Sequence, residues 1–150
     1  MQRTSLLADP TQVAARTAWA EARGEGAEGM QAVMNTFANR AARPAWWGRD
    51  ILGVCLAHNS DGVHQFSCWN ENDPNRAAAL AVTDADPQFA LALGLATKLV
   101  AGSLPDITLG SDSYYAPGLA SYTPDWAKVR FYRCTIGHHA FYRVGPYGEG

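Results

Sequence analysis

The sequence lacks the features that mark several large classes of protein. Lysine and arginine (12) do not outnumber aspartate and glutamate (14), so no excess of positive charge can neutralise phosphates and nucleic acid is not an expected partner. No apolar run is long enough to span a bilayer and no basic run marks a membrane surface, so membrane insertion is not expected. Repeats, low-complexity tracts and linkers are also missing, which predicts a single domain over residues 1–150.

Cysteine is scarce, and Cys55, Cys68 and Cys134 cannot all pair within one chain. Cys55 and Cys68 flank a loop and would form one disulfide in an oxidising compartment, whereas three reduced, mostly buried thiols are the alternative that we favour. The N-terminus carries an apolar patch too short for a secretory signal. We therefore expect synthesis in the cytoplasm without a signal peptide.

Capping residues and apolar periodicity predict a mostly helical α+β protein. Asp9 and Asp86 each precede a proline, which is the usual start of a helix, and glycines mark the stops. The segment DILGVCLA fits a helix or a strand, and VRFYRCTIGHHAFYRV alternates well enough for a small β-hairpin. The chain between His58 and Asn75 is irregular and rich in aromatics and amides, which is typical of a functional loop. The predicted helices are Pro10–Arg23, Glu28–Ala42 and a third that starts at Pro87 and is stopped by Gly102.

One carboxylate lies on an apolar helix face. Because helical neighbours three, four, seven and eight residues apart share a face, Glu21 lies with Val13, Ala14, Thr17 and Ala18. Desolvation and the negative end of the helix dipole both disfavour its charged form and raise its pKa. A carboxylic acid kept protonated near neutral pH is suited to general acid catalysis. The alternative is an exposed Glu21, or one paired with an arginine from elsewhere in the fold.

Four motifs then follow in order along the chain: AEARGE with GMQAV and Asn39-Arg40, QFSCWN at 65–70, SYYAP at 113–117, and IGHHAFYR at 136–143. Together they resemble the SleB-like cell wall hydrolases, which include spore cortex-lytic enzymes and many phage and prophage lysis proteins. The resemblance implies a compact lysozyme-like fold in which one glutamate at the end of a helix cuts the glycan strands of peptidoglycan. Matched motif to motif, that glutamate is Glu21.

Two glycosidic mechanisms follow from this resemblance. A hydrolytic muramidase needs a second carboxylate, and the candidates are Glu25, Asp61, Glu71 and Asp73. Glu25 also suits the first turn of the next helix, a role that we favour over chemistry. A lytic transglycosylase needs only Glu21, as acid and then base, and leaves a 1,6-anhydro end on N-acetylmuramic acid. The resemblance points to the transglycosylase.

Sugars present apolar faces and hydroxyls, so aromatics and amides are the expected substrate-binding groups. Glu25 and Asn39 are possible supporting residues, Asn39 as a helix-end hydrogen-bonder that fixes a loop near Glu21. Phe66 is expected to anchor the long loop in the core, and Trp126 to be partly buried. The candidate substrate-binding residues are Gln65, Ser67, Trp69, Asn70, Tyr114 and Tyr115.

Metal-dependent catalysis, thiol-dependent catalysis and binding without catalysis are the alternatives to glycosidic cleavage. Adjacent His138 and His139 point to opposite faces of a strand and none of the four histidines forms a one-turn pair, so no metal and no other cofactor is expected. A Cys/His peptidoglycan amidase and a non-catalytic glycan-binding module are the remaining alternatives. The expected partner is peptidoglycan, bound by a monomer. The expected setting is the cell wall (periplasm) of a phage-infected or lysogenic host, reached after release of a phage or prophage endolysin.

Overall fold

Six α-helices and three short β-strands build residues 3–150, the part of the chain that the computed structural model describes. Three single 3-10 turns, Arg23–Glu25, Ser67–Trp69 and Val129–Phe131, join some of them. Among the helices of these residues, none combines the length and the apolar character needed to cross a bilayer. The α-helices are α1 Arg3–Leu6, α2 Pro10–Ala22, α3 Gly26–Ala41, α4 Ile51–Leu56, α5 Pro74–Ala81 and α6 Pro87–Val100.

The predicted helix starts are confirmed by their caps. The Asp9 carboxylate accepts a hydrogen bond from the Thr11 amide at 3.0 Å, and Asp86 accepts one from the Gln88 amide at 2.9 Å. Helix α2 ends one residue before the predicted Arg23, because Arg23 enters a 3-10 turn, and α3 begins at Gly26 instead of Glu28. The segment DILGVCLA, which fitted a helix or a strand, is helical over residues 51–56.

Helix α5 was not predicted, and its start at Pro74 shortens the irregular segment predicted up to Asn75 by two residues. It begins with the same signal as α2 and α6, a capping aspartate followed by proline: the Asp73 carboxylate accepts from the Asn75 amide at 2.8 Å. Only Ala79 of this helix is fully buried. Its alanine-rich sequence therefore offers little apolar periodicity from which to predict it.

Helix α2 runs through the centre of the helical layer. Val13, Ala14 and Ala18 are fully buried, and these small side chains let α2 pack against α3, α4, α5 and α6. Phe66 belongs to the same core at 5% exposure, with its ring edge-on to Phe37 at 5.1 Å, as expected for an anchor of the long loop.

A small antiparallel sheet completes the fold. Strands β2 (Tyr132–Ile136) and β3 (His139–Tyr142) form the predicted hairpin, and β1 (Ser113–Tyr115) adds a third strand in the order β1-β3-β2. The sequence did not reveal β1, since three residues are too few for a pattern of alternation. Packing of Phe131, Ala140, Tyr142 and Val144 gives the sheet a separate small core.

Candidate active site

Glu21 lies in the last turn of α2, on the face predicted for it. The neighbours that share this face, Val13, Ala14, Thr17 and Ala18, are all fully buried. Glu21 itself keeps partial exposure, because it lines a cleft between the helical layer and the sheet. The prediction that a carboxylate interrupts an apolar helix face is therefore confirmed.

The hydroxyl of Tyr114, on strand β1, donates a hydrogen bond to Oε1 of Glu21 at 2.8 Å. Burial raises the pKa of the Glu21 carboxyl, the Tyr114 hydrogen bond opposes that rise, and the negative charge of Asp73 adds to it. The net pKa is above the ordinary value of a glutamate. Glu21 is thus a buried acid biased towards its protonated form, with one donor ready to stabilise it when it ionises.

The cleft around Glu21 has a volume of about 420 Å³. Its lining is a mixture of polar and apolar side chains, and within residues 3–150 Glu21 is the only acidic side chain that contributes to it. The helical side supplies Arg40, Trp46, Trp47, Gln65 and Phe66, and the opposite side supplies Ser113, Tyr114, Trp126 and the segment around Pro146.

Arg40 places a cation in the wall of this cleft. Its Nε donates to the Asp112 carbonyl at 2.7 Å, and its guanidinium carbon lies 5.2 Å from the ring centre of Trp47 and 6.0 Å from that of Phe66. Its Nη1 reaches Oε1 of Gln65 at 3.4 Å. Burial lowers the pKa of Arg40, and the neighbouring Tyr114 opposes that shift. The arginine fixes Gln65 and joins the end of α3 to the start of β1.

The predicted sugar-binding residues occupy different environments. Gln65 and Tyr114 both line the cleft. Tyr115, beside Tyr114, turns instead into the sheet core, with its ring 5.9 Å from Trp126 and 6.0 Å from Tyr142. Ser67 is exposed but lies outside the residues that form the cleft wall.

Trp69 and Asn70 stabilise the loop over residues 58–70 and do not line the cleft. Trp69 is 4% exposed, and its indole N–H donates to Oγ1 of Thr17 at 3.0 Å, so it presents no open ring face to a sugar. The Asn70 side-chain oxygen accepts from the His64 amide at 2.8 Å. Both residues hold the 58–70 loop on the helical core.

None of the four candidate second carboxylates lines the cleft. Glu25 accepts from the amide of His138 at 3.1 Å and faces its Nδ1 at 3.0 Å, which joins the start of α3 to the β2–β3 turn. Asp73 caps α5, although its charge still acts on the pKa of Glu21. Asp61 and Glu71 are exposed.

Asn39 lies at the end of α3, where its amide donates to Oδ2 of Asp106 at 3.0 Å and to the Ser111 carbonyl at 2.8 Å. Asp106 also accepts from the amides of Thr108 and Gly110. Asn39 therefore fixes the loop that leads into β1, and through β1 it fixes Tyr114.

The thiols are free and poorly suited to nucleophilic attack. Burial raises the pKa of Cys68 to about 12 and also raises the pKa of Cys55 and Cys134. Within residues 3–150, no three histidine, cysteine, aspartate or glutamate side chains group as a metal site would require.

The cleft residues that were not predicted as site residues include Arg40, Trp46 and Trp126. Arg40 belongs to the motif Asn39-Arg40, so its position beside a predicted supporting residue could have indicated a place in the site. Trp46 is 55% exposed while its neighbour Trp47 is 1% exposed, and nothing in the pair of tryptophans distinguishes them by sequence. Trp126 is partly buried as expected, yet it also lines the cleft.

Comparison with known proteins gives two matches. A family model described as Cell Wall Hydrolase matches residues 24–142, so Glu21 lies just before the matched region. The fold is similar to that of the catalytic domain of the germination-specific lytic transglycosylase SleB from Bacillus anthracis, with a TM-score of 0.65 and 22% identity over 89% of this chain and 93% of that chain. Among curated proteins, none matches significantly.

Proposed function

This chain belongs to the cell wall hydrolase family, and from that premise we propose that it is a lytic transglycosylase with Glu21 as its general acid and base. Its substrate is then the β-1,4 bond between N-acetylmuramic acid and N-acetylglucosamine in peptidoglycan. The observation that carries the proposal is that Glu21 is the only acidic side chain lining the cleft within the described residues. The fold similarity to a lytic transglycosylase catalytic domain is consistent with it.

The proposed reaction returns Glu21 to its starting state. Protonated Glu21 gives its proton to the bridging oxygen as the bond from that oxygen to C1 of N-acetylmuramic acid breaks. The resulting carboxylate accepts the Tyr114 hydrogen bond and then takes the proton from the C6 hydroxyl, whose oxygen forms a new bond to C1. The products are a free 4-hydroxyl and a 1,6-anhydro end, and no water is consumed.

The burial and hydrogen bonding of Glu21 support both halves of this cycle. Burial raises the pKa and favours the protonated acid before cleavage, while the Tyr114 hydroxyl at 2.8 Å stabilises the carboxylate formed afterwards. Hydrolysis by two carboxylates would require a second one across the cleft, about 5 to 9.5 Å from Glu21. Glu25 is instead engaged with His138 and Asp73 with the start of α5.

Mass spectrometry of digested muropeptides tests the proposal. Wild-type protein should release anhydro-muropeptides, and Glu21→Gln should release none although it is folded, with a melting temperature no lower than that of the wild type. Glu28→Gln is the matched control, because Glu28 is exposed on α3 and lies outside the cleft. Reducing ends in place of anhydro ends would identify a hydrolase, and full activity in Glu21→Gln would reject the assignment of Glu21.

We also propose that residues 1–150 act as one catalytic domain and as a monomer, since the cleft is formed within a single chain. The proposed setting is a phage or prophage endolysin, and what supports it is the resemblance to a family that includes phage lysis proteins. Expression in the cytoplasm should lyse bacteria only when a pore-forming protein is co-expressed. Lysis without the pore would contradict this setting, and sedimentation analysis tests the monomer.

A further inference from the structure

A second cavity adjoins the cleft, and both cavities are lined by Trp46. The second cavity has a volume of about 370 Å³, comparable with the 420 Å³ of the cleft. Its other walls come from α4 and the segments on either side of it, and they include Ala45, Leu56, Ala57 and His58. None of these four residues lines the Glu21 cleft, so the reaction proposed above leaves this cavity without a role.

Trp46 is exposed but firmly held. Although 55% of it is accessible, its indole N–H donates to the Pro146 carbonyl and its ring lies 5.9 Å from that of Trp47. Trp47 is itself fixed, since its indole N–H donates to the carbonyls of Arg40 and Arg43 at 3.0 and 2.9 Å. An exposed indole held in one orientation loses little entropy when an apolar sugar face packs on it.

The chemistry of the second cavity favours a neutral ligand. Its lining residues are alanine, glycine, leucine, tryptophan and histidine, so within the described chain no carboxylate, lysine or arginine faces it. Leu56 and Ala57 offer an apolar surface for an N-acetyl methyl group. His58 is exposed, with its ring 5.2 Å from that of His64; its Nδ1 faces the Leu56 carbonyl at 3.3 Å, which leaves Nε2 to hydrogen-bond a hydroxyl. The charged stem peptides of peptidoglycan would find no ion-pair partner here.

We propose that this second cavity is a saccharide-binding site that holds the glycan strand beyond the cleft, with Trp46 between the two sites. The proposal rests on the proposed function, because the same strand must enter the cleft that contains Glu21. Its consequence is that longer strands bind better, since they fill both cavities. The contribution of one hydrogen bond, here from His58 to a sugar hydroxyl, is about 0.5 to 1.5 kcal/mol and corresponds to a gain of roughly 2- to 12-fold.

Glycan strands of defined length, freed of their stem peptides, provide the test. For the wild type, kcat/KM should rise roughly 2- to 12-fold from strands that fill the cleft alone to strands that reach the second cavity. His58→Ala, which removes the imidazole, and Ala57→Phe, which fills the cavity, should abolish this gain with length. Tyr122→Ala is the control, because Tyr122 is 75% exposed and lines neither cavity, and it should keep the wild-type ratio.

A binding measurement separates the second site from the chemistry. In inactive Glu21→Gln, Kd for the long strand should be lower than for the short strand, and adding His58→Ala should remove the difference. Should Ala57→Phe fail to fold, His58→Ala still decides the question. Wild-type protein that is inactive on every length contradicts the proposed function itself. Activity that does not depend on length, or a gain that survives both cavity substitutions, overturns only the second site.

Discussion

The hydroxyl of Tyr114 is the group whose removal tests the proposed chemistry most directly. Tyr114→Phe keeps the ring that packs on the helical core and deletes only the donor to Oε1 of Glu21, 2.8 Å away. The carboxylate that forms after proton donation would then lie buried without this partner. We expect a slower reaction, because negative charge develops on Glu21 as the glycosidic bond breaks.

The size of the effect follows from the kind of hydrogen bond that is lost. A hydrogen bond to a charged group contributes about 1.5 to 3 kcal/mol. Because about 1.36 kcal/mol corresponds to a tenfold change in rate, kcat/KM should fall roughly 10- to 150-fold. Complete loss of activity would exceed what this contact can supply and would indicate a disturbed fold.

The pH profile provides the second readout. The Tyr114 hydrogen bond favours the ionised carboxyl and lowers the pKa of Glu21, so its removal raises that pKa. The general acid must be protonated, and the alkaline limb of kcat/KM should therefore move to higher pH in Tyr114→Phe. Tyr115→Phe is the matched control, since its ring packs on Trp126 and Tyr142 and should not move this limb. A limb that stays in place in Tyr114→Phe would refute Glu21 as the acid that Tyr114 serves.

Three further predictions concern stability and reactivity. The pKa of Glu21 in the folded protein lies above its ordinary 4.5, so Glu21 ionises in the unfolded chain first as pH rises, and the protein loses stability between the two pKa values. Glu21→Gln should therefore raise the free energy of unfolding in urea at pH 7 and leave it unchanged near pH 4. An equal effect at both pH values would contradict the raised pKa. Trp69→Phe loses the hydrogen bond to Thr17 and should cost about 1–3 kcal/mol of stability with KM unchanged, whereas a raised KM at unchanged stability would show that Trp69 contacts sugar. Alkylation of the native protein should be slow and leave lytic activity intact, because burial raises the pKa of the thiols of Cys55, Cys68 and Cys134. Inactivation in step with modification of one of these thiols would favour an amidase.

Local signals were sufficient for α2, α3 and α6 and for the unusual position of Glu21. The capping aspartates at 9 and 86 act within three residues of the helix starts, and the face of Glu21 depends only on the helical repeat. Helix α5 carried the same start signal at Asp73, but its weak apolar pattern and the polar loop before it obscured the signal. Periodicity thus predicted elements where burial follows one helix face and failed where only one residue is buried.

The cleft walls depend on tertiary contacts that no local pattern encodes. Trp46, for which no prediction was made from the sequence, is exposed at the cleft, whereas Trp69, predicted to bind substrate, is buried under Thr17. What decides between them is the availability of a buried hydroxyl acceptor for Trp69 and of the Pro146 carbonyl for Trp46. Both acceptors lie more than fifty residues away along the chain.

Glu21 lies on a helix and Tyr114 on a strand; the helices and the sheet have separate cores, and the ring of Tyr114 packs on the helical one. Their hydrogen bond, together with the contacts of Glu25 with His138 and of Arg40 with Asp112, spans the boundary between the helices and the sheet. On heating, loss of these contacts should therefore stop catalysis before the helices themselves unfold. Catalysis stops when the sheet separates, while the helices still give their circular dichroism signal, so an enzyme assay records an earlier event than a spectroscopic melt.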